Sequence, residues 1–254
     1  MLELQKVSKW FGGLPALQDV SFQIPRGRVT ALIGPNGAGK STLINCISGV
    51  DNAQAGCILL GHRPVEALPA HEIAAFGVAR TFQNLKLFGR LTVLDNVLTG
   101  LTVAAERSFV VSMLRLPGLR HQERQLRLLA LDALDDFGLA QKAHWPASAL
   151  SYGEKKRVEM ARAFVSAPRL VLLDEPVAGL NSDETAQIAR HIRRQRSAGH
   201  TMLLVEHDME LVMDVADQVV VMDSGRCIAC GRPAAVRSNP LVLEAYLGRM
   251  EATA

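Results

Sequence analysis

Nine consecutive residues have the types and order to hold a phosphate: Gly34, Pro35, Asn36, Gly37, Ala38, Gly39, Lys40, Ser41 and Thr42. They follow the apolar run Val29–Ile33 and precede a helix-like stretch from Leu43. That strand–loop–helix setting is the one in which the spacing G-x-x-x-x-G-K-[ST] carries meaning. Gly34, Gly37 and Gly39 open φ values closed to other residues, so a chain of amide N–H groups can curl round an anion. The helix that follows adds its unpaired N-terminal N–H groups and the positive end of its dipole. Lys40 brings a cation to the terminal phosphates, and the Ser41 hydroxyl suits a Mg²⁺ ligand. The ligand implied is a nucleoside triphosphate.

Two further apolar runs end in polar chemistry. Leu170–Leu173 runs into Asp174 and Glu175, and Met202–Val205 runs through Glu206 to His207. Continuous apolar runs suit strands buried on both faces of a parallel sheet, whose carboxyl edge is where ligands bind. Hydrolysis of a phosphoanhydride needs charge neutralisation and a held, in-line water. Asp174 suits the metal, directly or through water, opposite Ser41. Glu175 suits orientation or deprotonation of the attacking water, with His207 as a bridging donor to the γ-phosphate. Gln83 could offer its amide to Mg²⁺ or to a water, although a lone glutamine is also ordinary surface. Ser151 is a natural N-cap, and Glu154 three residues later completes a capping box. Gly153 in that first turn adds nothing to helix stability but permits close approach of a backbone or a phosphate. Trp10 and Phe11 precede the pair Gly12-Gly13. They read either as a flat surface for a purine or as core aromatics closing a hairpin.

The positioning elements follow from pattern. Alternation over Leu2–Ser8 and Val20–Ile24 predicts antiparallel strands with one buried face. Strands are also expected at Cys57–Leu60, Gln218–Asp223 and Arg226–Gly231. Helices are expected over Thr42–Gly49, Ala70–Ala75, Leu91–Leu98 behind a threonine cap, and onward from Ser151 to Phe164. Gln83 closes a short strand-like run. His121–Phe137 reads as a long amphipathic helix with Leu126, Leu129, Leu134 and Phe137 near one stripe. Arg107–Leu119 is irregular and apolar-basic. The stretch between Asn84 and Leu150 thus reads as a helical insertion in an α/β core.

The chain has 254 residues, a net charge of +3 and 48% apolar residues, which is room for a full core and too little charge to argue for nucleic acid. Its first ten residues lack the apolar run of a signal peptide, and no run approaches a bilayer span. The expectation is a soluble chain whose membrane role comes through partners. Cys46, Cys57, Cys227 and Cys230 suit free thiols in a reducing cytoplasm. Strand alternation predicts that Cys227 and Cys230 face opposite sides.

Taken in order, Gly34 to Thr42, Gln83, Leu150 to Glu154, Leu170 to Glu175, Ala178-Gly179-Leu180-Asn181 and His207 resemble the ordered motif set of ABC transporter ATPases. Tyr152 and Glu154 depart from that family's usual Gly and Gln. The resemblance implies an α/β P-loop NTPase with a RecA-like core, an antiparallel β subdomain and an inserted α-helical subdomain. Residues 1–254 would form one cassette, with the core and β subdomain at 1–86 and 158–254 and the helical subdomain at 87–157. It implies ATP and Mg²⁺ as ligands, Phe11 as an adenine platform, and Ser151, Gly153 and Glu154 acting on nucleotide held by a second ATP-binding subunit, paralogue or self. Gly77–Phe88, Val205–Met209 and Glu244–Gly248 resemble more narrowly the ATP-binding subunits of branched-chain amino acid importers. Urea or amide importers and a lipopolysaccharide exporter share several of these marks. The expected partners are membrane permease subunits and, through them, an extracytoplasmic substrate-binding protein. The expected location is the cytoplasmic face of the inner membrane.

Overall fold

A computed structural model describes residues 1–101 and 118–247. Most of the expected apolar-basic stretch 107–119 lies outside them. Strands β1 (Leu2–Phe11) and β2 (Leu14–Ile24) form a hairpin, longer than alternation alone indicates. They join β4 (Ala55–Leu60) and β5 (Arg63–Pro64) in an antiparallel sheet of order β2-β1-β4-β5. The second sheet contains β3 (Val29–Ile33), β6 (Val78–Arg80), β7 (Leu170–Asp174), β8 (Met202–Val205), β9 (Gln218–Asp223) and β10 (Arg226–Gly231). Its order is β10-β9-β3-β8-β7-β6, parallel except for the edge strand β10. β6 stops at Arg80, so Gln83 sits in the loop beyond the strand expected to carry it.

Strands β3, β7 and β8 are buried at every position, as their largely apolar runs suit. Leu170 and Leu172 face the antiparallel sheet and α1 (Lys40–Ile47). Val171 and Leu173 face the opposite way, into a cluster shared with α3 (Val93–Leu98), α4 (Gly118–Asp136), α5 (Tyr152–Phe164) and α6 (Ser182–Ser197). Helix α2 (Ala70–Ala75) lies where expected. In α4, Leu134 and Phe137 just beyond its end are fully buried, but Leu129 is 49% exposed and Ala130 takes the inward place. A helix turning 100° per residue brings 126, 130, 134 and 137 to one side, so of the four expected residues only Leu129 falls off the stripe.

Trp10 and Phe11 stand 39% and 50% exposed at the end of β1, which removes the core-aromatic reading of that hairpin. The β9–β10 turn has positive φ at Ser224 (47°) and Gly225 (78°), as a tight hairpin requires. In β10 the pairing jumps from Cys227↔Met222 to Ala229↔Val221, leaving Ile228 as a β-bulge. Cys227 packs with Met222 and Val220, and Cys230 lies opposite Val220. The bulge therefore returns Cys230 to the face of Cys227, contrary to the alternation expected of an unbroken strand. Both thiols are free.

Candidate functional site

The loop after β3 carries φ values of 149°, 80° and 97° at Gly34, Gly37 and Gly39. Gly39 is the N-cap of α1, and a Cβ there would lie 2.6 Å from the carbonyl oxygen of Ala16 in β2. Glycine is thus required twice over, by conformation and by space. No side chain caps α1 and no acid stands in its first turn. Its leading N–H groups have no intrahelical partner. Lys40 Nζ donates to the carbonyls of Gly34 (2.7 Å) and Pro35 (3.0 Å), folded along the loop it terminates. Burial lowers its ammonium below the ordinary range, and the charge of Glu175 opposes that shift. Ser41 is exposed in the same turn, while Ala38 is buried beneath the loop.

Asp174 ends β7 and is 6% exposed. Glu175 follows with φ 48°, an uncommon conformation for a residue with a side chain and one that concentrates at functional sites. Its N–H donates to Val205 at 3.0 Å, and its Oε2 accepts from the amide of Gln83 at 2.9 Å. The structure therefore brings Gln83, Asp174 and Glu175 together. His207 is different: its side chain is 67% exposed, and its Nδ1 lies 3.8 Å from the buried Glu206. No contact joins its imidazole to Glu175 or Lys40 among the described residues.

Ser151, Gly153 and Glu154 form a second locality. Ser151 caps α5, its hydroxyl accepting from the Glu154 N–H while the Glu154 carboxylate accepts from the Ser151 N–H. A Cβ on Gly153 would collide with the Glu184 carboxylate of α6. Lys142 and Arg157 flank Glu154. Burial would raise its carboxyl, but the Lys142 and Ser151 hydrogen bonds and the two positive charges outweigh that and hold it below the ordinary range. Its oxygens are thus engaged within the chain. Phe11 lies apart again, with Lys9 Nζ 5.0 Å from its ring centre.

Several residues at the site escaped the reading by pattern. Lys156, 2% exposed on α5, donates to the carbonyls of Glu175 (3.2 Å) and Gln83 (3.4 Å). One turn on, buried Glu159 accepts from the N–H of Phe82 at 3.2 Å. Arg162 donates to the carbonyl of Lys86 at 2.6 Å. Burial lowers the Lys156 ammonium, with Glu159, Glu206, Glu175 and Asp174 opposing. Burial likewise raises the carboxyls of Glu159 and Glu206, against hydrogen bonds from backbone N–H groups. Glu206 Oε1 accepts from the N–H of Val177 at 3.0 Å, tying the segment after Glu175 to the end of β8. Arg80 at the end of β6 donates to Asp174 Oδ2 at 2.9 Å. On a helix or strand these charges read as solvated face; only the tertiary structure buries them.

Beside this site runs a groove of 940 Å³ lined by Ile73, Phe76, Phe82, Phe88 and Arg162 among others. Phe88 is 56% exposed there. Leu87 instead packs against the core.

The family profile described as ABC transporter matches residues 17–178, and one described as branched-chain amino acid ATP-binding cassette transporter matches 226–252. The chain is 39% identical to the high-affinity branched-chain amino acid transport ATP-binding protein BraF of Pseudomonas aeruginosa, over 98% of each. It is 40% identical to LivG of Salmonella typhimurium, which bears the same description, over 94% of each. The ADP conformation of MJ1267, an ATP-binding cassette of an ABC transporter, superposes with a TM-score of 0.85 at 32% identity over 98% of both chains. With a glycine-lined phosphate loop, a strand-end carboxylate pair joined to a loop glutamine, and a capped signature helix, the chain belongs to the ABC transporter family as an ATP-binding cassette ATPase.

Proposed function

We propose that this chain hydrolyses ATP to drive a membrane permease that imports branched-chain amino acids. The observation that carries the catalytic part is the Gln83–Glu175 hydrogen bond at the mouth of the phosphate loop. The amide N–H groups from Gly34 to Thr42 and the start of α1 cradle the phosphates, and Lys40 leaves its loop carbonyls for the β- and γ-phosphates. Glu175 orients and deprotonates the attacking water, its carboxylate steered by Gln83 and its backbone pinned by Lys156. His207, on an exposed side chain, swings to the γ-phosphate as a donor. Phe11 offers its exposed face to adenine.

The donors present fit Mg²⁺, which takes oxygen ligands, usually one or two carboxylates plus substrate phosphates. Asp174 supplies the carboxylate, Ser41 a hydroxyl and Gln83 an amide oxygen. When bound, the ion neutralises charge developing on the transferred phosphoryl group. Ser151 and Gly153 act on nucleotide held by a second ATP-binding subunit, while Glu154 keeps the signature helix capped.

The permease reading rests on the relatives' names and on the groove beside Gln83. No helix among the described residues is long and apolar enough to cross a membrane, so the permease is a separate subunit in this proposal. Because Leu87 supports the core, the informative change is at exposed Phe88. Phe88→Glu should leave basal ATP hydrolysis near normal and abolish coupling in the assembled complex. Normal substrate-stimulated hydrolysis would show that the permease docks elsewhere. Glu175→Gln should retain ATP and lower turnover by about 10²–10⁴-fold. Undiminished turnover would remove Glu175 from its role. The cargo is tested by reconstituting the complex in vesicles with labelled leucine; uptake of urea, amides or lipid instead would replace the branched-chain assignment.

A further inference from the structure

Arg80 ties several parts of the site together. Its guanidinium donates to Asp174 Oδ2 (2.9 Å), to Asn45 Oδ1 (2.8 Å) and to Ser48 Oγ (3.0 Å). It also lies 5.3 Å from the ring centre of Phe82. One group thus joins the end of β7, the helix that follows the phosphate loop and the segment leading to Gln83. The ion pair with Asp174 is buried on both sides, at 12% and 8% side-chain exposure. Its Nε–H is buried without a partner, so the side chain is placed at a cost to stability. An arginine kept only for packing gains nothing from that arrangement.

We infer that Arg80 is a positioning residue for the metal-holding carboxylate: it fixes Asp174 through Oδ2 and so presents Oδ1 to Mg²⁺. This rests on the reading above that Asp174 serves the metal. A carboxylate with both oxygens unrestrained loses torsional freedom when it captures an ion. One already anchored by a charged donor in a fixed fork has lost it beforehand. Asn45 and Ser48 complete the anchorage from α1, so the metal carboxylate and the phosphate cradle share one rigid frame.

The test uses the full chain, stripped of metal with EDTA, and a fluorescent ATP analogue. Mg²⁺ is then titrated back, and Mn²⁺ bound per nucleotide is counted by electron paramagnetic resonance. Arg80→Met should leave analogue affinity without metal unchanged and raise the half-saturating Mg²⁺ and Mn²⁺ concentrations about 10- to 100-fold. Arg80→Gln, which retains a donor, should recover part of that shift. A pure packing role predicts loss of metal-free affinity or of folding without a selective change in metal demand, and that result overturns the inference. So does an unchanged or lowered metal requirement, which would mean that Arg80 competes with the ion. If Arg80→Met does not fold, Arg80→Lys carries the same test, with a smaller rise expected and no rise overturning the inference. Asp174→Asn separates the two levels. If it leaves metal demand unaltered, the metal role of Asp174 fails and the inference falls with it. If it raises the demand and the Arg80 variants do not, only the inference fails.

Discussion

The chain contains two helix N-termini built on opposite plans. Helix α1 begins at a left-handed glycine, has no side-chain cap and carries Lys40 in its first turn. Helix α5 begins at Ser151 with both halves of a capping box and a carboxylate in its first turn. The first leaves its donors unspent; the second satisfies two of its own. An N-terminus that needs no ligand keeps its shape in the empty protein, whereas one with orphan donors is completed by an anion. In the proposed reading α1 is the primary phosphate holder, and α5 is a preformed surface that contributes the Ser151 hydroxyl and the N–H of Gly153.

The largest effect should come from breaking the first plan. Gly39→Ala places a Cβ against the Ala16 carbonyl and forces a left-handed conformation on a residue that resists it. Nucleotide affinity, followed with a fluorescent ATP analogue, should fall by about 100-fold or more, since a cost of roughly 3 kcal/mol is expected. Near-normal affinity would show that the loop relaxes without consequence.

A next test asks whether the second N-terminus serves another chain. In two tethered copies, Lys40→Ala and Ser151→Arg are placed either in different copies or in the same one. If the signature acts across the dimer, the pair with split lesions keeps one whole site and the pair with both lesions in one copy keeps none. More nucleotide trapped when the lesions share a copy would reverse the assignment.

The smallest effect belongs to Glu154→Gln, which restores the residue usual in the family. It removes the attraction of Lys142 and Arg157 but keeps an acceptor for the Ser151 N–H. At neutral pH the loss should be under about 1 kcal/mol by urea denaturation, because the pairs are partly exposed. The sign with pH is definite. The folded carboxyl titrates below its ordinary value of 4.5, so its stabilisation is complete above that range and disappears as pH falls through the folded value. The variant should therefore lose less stability on acidification than the parent. An identical acid limb in both would exclude Glu154 as a contributor.

How far the sequence revealed this site depends on whether each interaction is local. The capping box spans four residues, Ser151 to Glu154, and is readable in full, as are the strand-end carboxylates after an unbroken apolar run. Arg80 was not, because its partners Asn45, Ser48 and Asp174 come from distant parts of the chain. Lys156 and Glu159 are hidden for a related reason: charges on a helix are normally solvated, and only the tertiary packing over α5 buries them. On α4 one residue of the expected stripe misses: Ala130 rather than Leu129 faces the core, because at 100° per residue 130 and not 129 lines up with 126, 134 and 137. A bulge of one residue at Ile228 was enough to invalidate alternation for Cys230. His207 follows the end of β8, as its sequence position indicates, but its side chain stands exposed.

The three side chains of α5 that hold the loop after β6 all end on main-chain atoms: the carbonyls of Gln83 and Lys86 and the N–H of Phe82. Such a grip is indifferent to the lettering of the loop. On the docking proposed above, the exposed side chains of Asn84 and Phe88 would be exchangeable to suit a different membrane subunit while the same backbone remains fastened to the same helix. On that proposal a single motor would be refitted to a new permease by rewriting a few exposed residues, leaving its transmission untouched.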